Sequence, residues 1–225
     1  MDIYYLILVV PALLLSVWAQ FKVKSTFAKY SKKMNSKNIS GAQVAAYLLR
    51  TNNISDVKIG KIAGNLTDHY SPTEKVLRLS DPVFDKNTIA AIGVAAHETG
   101  HAIQHATKYG PLGFRSLLVP IANIGSAAGP TLAILGIVSS FSFLINIGLL
   151  LFSGAVLFYL VTLPVEFNAS NRAIKILERT GYFNEDEIKG VKKVLKAAAM
   201  TYVASALTSI ANFLRLLLIS KNRRR

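Results

Sequence analysis

The residues best placed to do chemistry are His97-Glu98-Thr99-Gly100-His101, inside an apolar-periodic run from Thr88 to Lys108 that reads as a helix. Side chains four apart on a helix lie one above the other on the same face. His97 and His101 can therefore offer two imidazole nitrogens to one metal ion. Glu98 follows the first histidine, so its carboxylate can sit beside that ion and take a proton from water held there. The plain alternative is a chance spacing, with two histidines satisfied by ordinary hydrogen bonds. The rest of the chain must decide between them.

His-Glu-x-x-His on a helix is the pattern of zinc-dependent peptidases, and a catalytic zinc takes three protein ligands and one water. The chain has no cysteine, so the third ligand must come from His, Asp or Glu. His105 continues the face of His97 and His101. Eight residues of helix rise about 12 Å, however, against a zinc–nitrogen bond of about 2 Å. A third histidine six after His101 is also ruled out, because Thr107 stands there. His105 is expected to be a hydrogen-bonded or interfacial residue. Glu166 is the better candidate, being the first charge after fifty uncharged residues from Ser116 to Val165. Its other reading is a carboxylate favoured by the dipole at a helix N-terminus.

The elements that must bring these groups together are largely apolar. The chain has 225 residues, 52% hydrophobic and 17% charged, and its apolar residues are clustered, as in a membrane protein. Its net charge of +14 collects beside the apolar segments. No aromatic-interleaved basic face accompanies it, so nucleic-acid binding is not expected. Contact with anionic headgroups and control of topology account for the charge.

In order, residues 1–20 form an N-terminal anchor, kinked at Pro11, with the lysines Lys22, Lys24, Lys29, Lys32, Lys33 and Lys37 after it. By the positive-inside rule those lysines are cytoplasmic. Residues 21–115 make the catalytic part. Ser40 and Gln43 cap a helix to Arg50, Val57–Ile62 and Lys75–Ser80 read as strands, and the zinc helix spans 88–108, capped by Asp85 or Asn87. The strand just before that helix is an edge to which a peptide could add, or part of a small structural hairpin. Residues 116–164 form a transmembrane hairpin turning at Ser139-Ser140-Phe141-Ser142, with Gly125, Ser126, Gly129, Gly136 and Gly154 allowing close packing. A hairpin returns Glu166 to the side of the zinc helix. Residues 165–225 supply a helix to Arg179, then one capped by Asn184 and Glu187. The polar stripe Thr201, Ser205, Thr208, Asn212 and Arg215, with basic residues at both ends, reads as an amphipathic helix lying in the cytoplasmic interface or packed against the catalytic part, and not as a fourth span. The expected fold class is a mainly α integral membrane protein, with about three transmembrane helices and a cytoplasmic zincin-like domain holding a small β-hairpin or sheet.

Four stretches carry a resemblance: Gly64-Asn-Leu-Thr-Asp-His-Tyr-Ser-Pro-Thr, Arg78-Leu-Ser, Ala95-Ala-His-Glu-Thr-Gly-His-Ala-Ile-Gln, and Leu163-Pro-Val-Glu-Phe-Asn-Ala-Ser-Asn-Arg-Ala. Together they resemble the YugP-type neutral zinc metallopeptidases of bacterial membranes, over nearly the whole chain. The architecture is also similar to HtpX-type and CaaX-prenyl proteases. The resemblance implies one Zn2+ ion held by His97, His101 and Glu166, with Glu98 as the base. Relatives commonly carry an acidic residue four after the ligand glutamate. Here Ser170 stands there, which leaves the partner of a ligand histidine unassigned.

The activity expected is hydrolysis of peptide bonds in membrane or unfolded proteins, at a cytoplasmic-facing site of a multi-pass cell-membrane protein. Water deprotonated by Glu98 attacks a metal-polarised carbonyl, and Glu98 then protonates the leaving amine. His69, Tyr70 and Arg172 are candidates to stabilise the oxyanion or contact substrate, and each could equally be structural. The competing reading is a zinc-binding membrane scaffold or chaperone without turnover. A transporter is disfavoured, because the spans carry no ionisable residue.

Overall fold

The computed structural model describes residues 2–223. A π-helical stretch (Tyr5–Val9) leads into α1 (Val10–Tyr30), followed by α2 (Gly41–Thr51), strands β1 (Lys58–Ile62), β2 (His69–Ser71) and β3 (Val76–Ser80), and α3 (Asp81–Phe84). Next come α4 (Ile89–Ala106), α5 (Gly110–Ser139), α6 (Ser142–Thr180) and α7 (Glu185–Arg223). The widened turn sits just ahead of Pro11, whose ring would press on the preceding turn of a regular helix. The chain packs as two compact units. One takes the chain up to Gln20, Gly110–Pro164 and the chain from Met200 onward; the other takes Phe21–Tyr109 and Val165–Ala199.

The first unit is helical and apolar on its outside. Four helices among the described residues are long and apolar enough to cross a membrane: Tyr5–Tyr30, Gly110–Ser139, Ser142–Thr180 and Glu185–Asn222. That is one more than the three expected from sequence, and the polar stripe on α7 explains the difference. Its side chains are used inside the bundle. Thr208 Oγ1 pairs with Ser16 Oγ at 3.0 Å, and Arg215 Nη2 meets Asp2 Oδ2 at 2.7 Å. Asn212 bonds back to the Thr208 carbonyl at 2.9 Å. A stripe that joins helices needs no water, so it gives no reason to lay α7 on a surface. The α5–α6 turn falls where the serine-rich tetrapeptide predicts, with Ser140 at φ 58°. Gly125 and Gly148 each lie where a Cβ would strike backbone of the facing helix, so these two helices touch main chain to main chain. Ala133, Ile137, Ile145, Phe152 and Ala155 share a core with Leu216 of α7.

The second unit is built around α4. One side of α4 packs Ala91 and Ala95 against Leu77 and Leu79 of β3, together with Ala45 of α2. The other side packs Ile89, Ile92 and Ala96 against Ala173 and Leu177 of α6 and Val191, Val194 and Leu195 of α7. The capping box at Ser40 and Gln43 forms with both hydrogen bonds, and Asn184 and Glu187 cap α7 in the same reciprocal way. The cap of α4 is Thr88, whose hydroxyl accepts from Ala91 N at 3.2 Å, in place of the Asp85 or Asn87 expected from sequence. The Asn87 carbonyl is taken by Asn35, and the Asn87 side-chain amide donates to Asn38. The sheet runs β1-β3-β2, with β1 parallel and β2 antiparallel to β3. The strand before α4 is therefore central and paired on both sides, so of the two readings open from sequence the edge is excluded and a small structural sheet stands. The helix after Pro164 is no separate element, because α6 runs through that proline from Ser142 to Thr180.

Candidate metal centre

The site is formed by α4 and the part of α6 that follows Pro164. Thr99 locks its hydroxyl onto the Ala95 carbonyl at 2.8 Å, which keeps that buried side of α4 free of unpaired polar groups. Gly100 faces the Ala169 carbonyl, and a Cβ there would lie 2.5 Å from the oxygen. This close approach of two backbones lets a short carboxylate on α6 reach two histidines on α4. Glu166 Oε2 stands 3.2 Å from His97 Nε2 and 3.4 Å from His101 Nε2, with the Glu166 side chain only 3% exposed. The two imidazoles meet edge to face, their centroids 4.8 Å apart.

This geometry fits a zinc ion on three counts. The donor atoms of His97, His101 and Glu166 all lie within 4.8 Å of one another. Tetrahedral donors each about 2.1 Å from zinc stand about 3.4 Å apart, close to the two spacings found. Both histidines turn Nε2 inward and keep Nδ1 for a partner on the protein, as metal-binding histidines do.

Those partners are Ser170 and Gln104. His97 Nδ1 lies 3.0 Å from Ser170 Oγ, and His101 Nδ1 lies 3.0 Å from Gln104 Oε1. Gln104 is fully buried. Its amide nitrogen donates to the Val165 carbonyl at 2.8 Å and to Asn168 Oδ1 at 3.0 Å. Ser170, whose role the sequence leaves open, thus stands beside His97, one of the candidate ligands. Gln104 was not singled out from sequence, although its position three after His101 puts it on the same helix face.

Glu98 is buried at 8% exposure and close enough for its charge to act on His101. Burial by itself would lower the His101 pKa, but the hydrogen bond the ring donates to Glu166 and the charges of Glu98 and Glu166 outweigh it and raise it. Burial likewise works to raise Glu166, which lies beyond the apolar stretch of α6. The hydrogen bonds from His101 and His97 prevail and hold its carboxyl far below the usual range.

The remaining sequence candidates have other partners. The Tyr70 hydroxyl shares a 2.7 Å hydrogen bond with His105 Nδ1, which also accounts for His105. His69 Nδ1 pairs with the Thr67 carbonyl at 2.9 Å within its own turn. Arg172 Nε donates to Asn168 Oδ1 at 2.7 Å, and its guanidinium lies over the Tyr109 ring.

With this geometry in hand, residues 5–221 match the profile of a family described as "putative neutral zinc metallopeptidase". The chain belongs to that family. It is similar to the protein named "Putative membrane protease YugP" of Bacillus subtilis (strain 168), with 48% identity over 220 residues, covering 98% of each chain. No solved structure matches. Membership in a zinc metallopeptidase family agrees with the donor set built by His97, His101 and Glu166.

Proposed function

We propose that this protein is a membrane-embedded zinc metalloendopeptidase in which His97, His101 and Glu166 hold one zinc ion and Glu98 is the general base. The convergence of two Nε2 atoms and one buried carboxylate oxygen, all within 4.8 Å of one another, carries this reading. A bound zinc supplies Lewis acidity toward a peptide carbonyl and toward water.

Everything else falls to side chains of the chain itself. Glu166 stays ionised because the imidazoles hold its carboxyl low, so it is available as an anionic ligand. Glu98 lies next to His97 and is shielded from bulk solvent, which suits it to take a proton from the attacking water and return it to the leaving amine. A purely structural zinc site gains nothing from that carboxylate. This separates the peptidase from a scaffold or chaperone without turnover.

Four apolar helices favour four spans, with the second unit in the cytoplasm on the side of the lysines from Lys22 to Lys37. Unfolded segments of membrane proteins are the substrate class this location favours. The test is incubation of the detergent-purified protein with an unfolded protein, with and without a chelator. Cleavage that the chelator abolishes and zinc restores supports the reading. Cleavage indifferent to the chelator, or absent from a zinc-loaded protein, contradicts it.

A further inference from the structure

The two ligand histidines are held differently. The Ser170 hydroxyl beside His97 can donate or accept, so it accommodates either tautomer of that ring. The amide beside His101 has no such freedom. Arg172 can only donate, so the Asn168 oxygen facing it is an acceptor, already taking one hydrogen bond from Nε at 2.7 Å. The Val165 carbonyl can only accept, and it faces the Gln104 side chain at 2.8 Å. Both acceptors therefore demand the amide nitrogen of Gln104. Its oxygen is left to face His101 Nδ1 at 3.0 Å, and that nitrogen must carry the hydrogen. In the neutral ring the lone pair is then on Nε2, the atom turned toward Glu166, so loss of one proton leaves that atom free to coordinate.

From this chain of forced assignments we infer that Gln104 is a positioning residue of the metal centre. It sets the coordinating tautomer of His101 and ties that ring to the turn of α6 that carries Glu166. The inference rests on the metal-site reading above and deepens it. Glutamine meets both demands at once. A carboxylate would keep the acceptor toward His101 but lose both donors, and an apolar side chain of the same length would lose all three contacts. The burial is complete, so water cannot substitute for any of them.

The test uses the full chain in detergent with Co2+ as the probe, reading affinity by chelator competition and coordination by the visible absorption of the bound ion. Gln104→Met, of similar volume, is expected to weaken Co2+ binding about 10- to 100-fold and to alter the spectrum. Gln104→Glu is expected to recover part of the affinity lost in Gln104→Met, because it keeps the acceptor that dictates the tautomer while losing the two donors to Val165 and Asn168. A side chain that merely stitched α4 to α6 would fail alike in both. Asn168→Ala loosens the stitch without touching the acceptor, so it serves the same comparison if Gln104→Glu does not fold, and it should stay within about threefold of the parent, well short of the loss expected for a missing partner. Co2+ binding by Gln104→Met equal to that of the parent, in affinity and spectrum, would overturn the inference alone. Absence of Co2+ binding by the parent chain would instead overturn the metal site on which it depends.

Discussion

Gly100 and Ala169 bring α4 and α6 together at the candidate metal centre, with the Ala169 carbonyl so near that a Cβ on Gly100 would lie 2.5 Å from its oxygen. Alanine ordinarily stabilises a helix interior by about 1 kcal/mol relative to glycine. Here the obstacle is backbone, which cannot swing aside as a side chain would. Gly100→Ala is expected to cost about 1–3 kcal/mol net and to push Glu166 away from His97 and His101. Thermal unfolding and zinc content check this together. A variant more stable than its parent, with full zinc content, would show that the contact is slack.

Glu98 is assigned a role in proton transfer and none in holding the ion. Glu98→Gln, nearly isosteric, should keep the zinc content and lower the rate of peptide hydrolysis by about 10²- to 10⁴-fold. Turnover at the parental rate would remove Glu98 from the chemistry and revive the scaffold reading.

Protonation gives the site a pH dependence of definite sign. The His101 pKa is raised in the metal-free fold, so its contribution to stability is present below the unfolded value and is lost as pH rises through the folded one. The Glu166 pKa is lowered, so its contribution is present above the unfolded value and is lost as pH falls through the folded one. Metal-free protein should accordingly be most stable in the mildly acid window between them. Zinc must displace the proton on His101, so zinc affinity should fall as pH drops from about 8 to about 6, approaching tenfold for each unit below the histidine's value. Chelator competition across that range measures it, and a flat profile would contradict the coupling.

The pairing of Arg215 with Asp2, and of Asn222 with the Tyr4 hydroxyl, sets the end of α7 beside the start of α1. If both helices cross, the two chain ends share one side of the membrane and the lysines around Lys37 lie on the other. The chain has no cysteine, so single cysteines can be introduced without background. Cysteines replacing Ile3 and Asn222 should label from the same side in sealed vesicles, and one replacing Lys37 from the opposite side. Labelling of Asn222→Cys and Lys37→Cys from one side would restore the three-span arrangement.

Much of this was legible in the sequence where a single rule dominates. The spacing of His97 and His101, the fifty uncharged residues and the return of Glu166 follow from helix periodicity and the length of an apolar hairpin. The α7 stripe is ambiguous in the sequence because polar residues at helical spacing look alike whether they face water or Ser16 and Asp2. The strand β3 is central because the three-residue β2 pairs beside it, and so short a strand leaves almost no periodic signal. Gln104 and Ser170 carry no charge and sit at spacings common to any helix, so only their contacts with His101 and His97 disclose what they do.

The central claim, that one carboxylate beyond the apolar hairpin completes a metal site with two histidines of α4, is tested most directly by the zinc content of detergent-purified Glu166→Ala beside that of the parent chain. The account predicts one zinc per parent chain and a large loss in the variant, with its fold verified by unfolding. Equal zinc in both would contradict it.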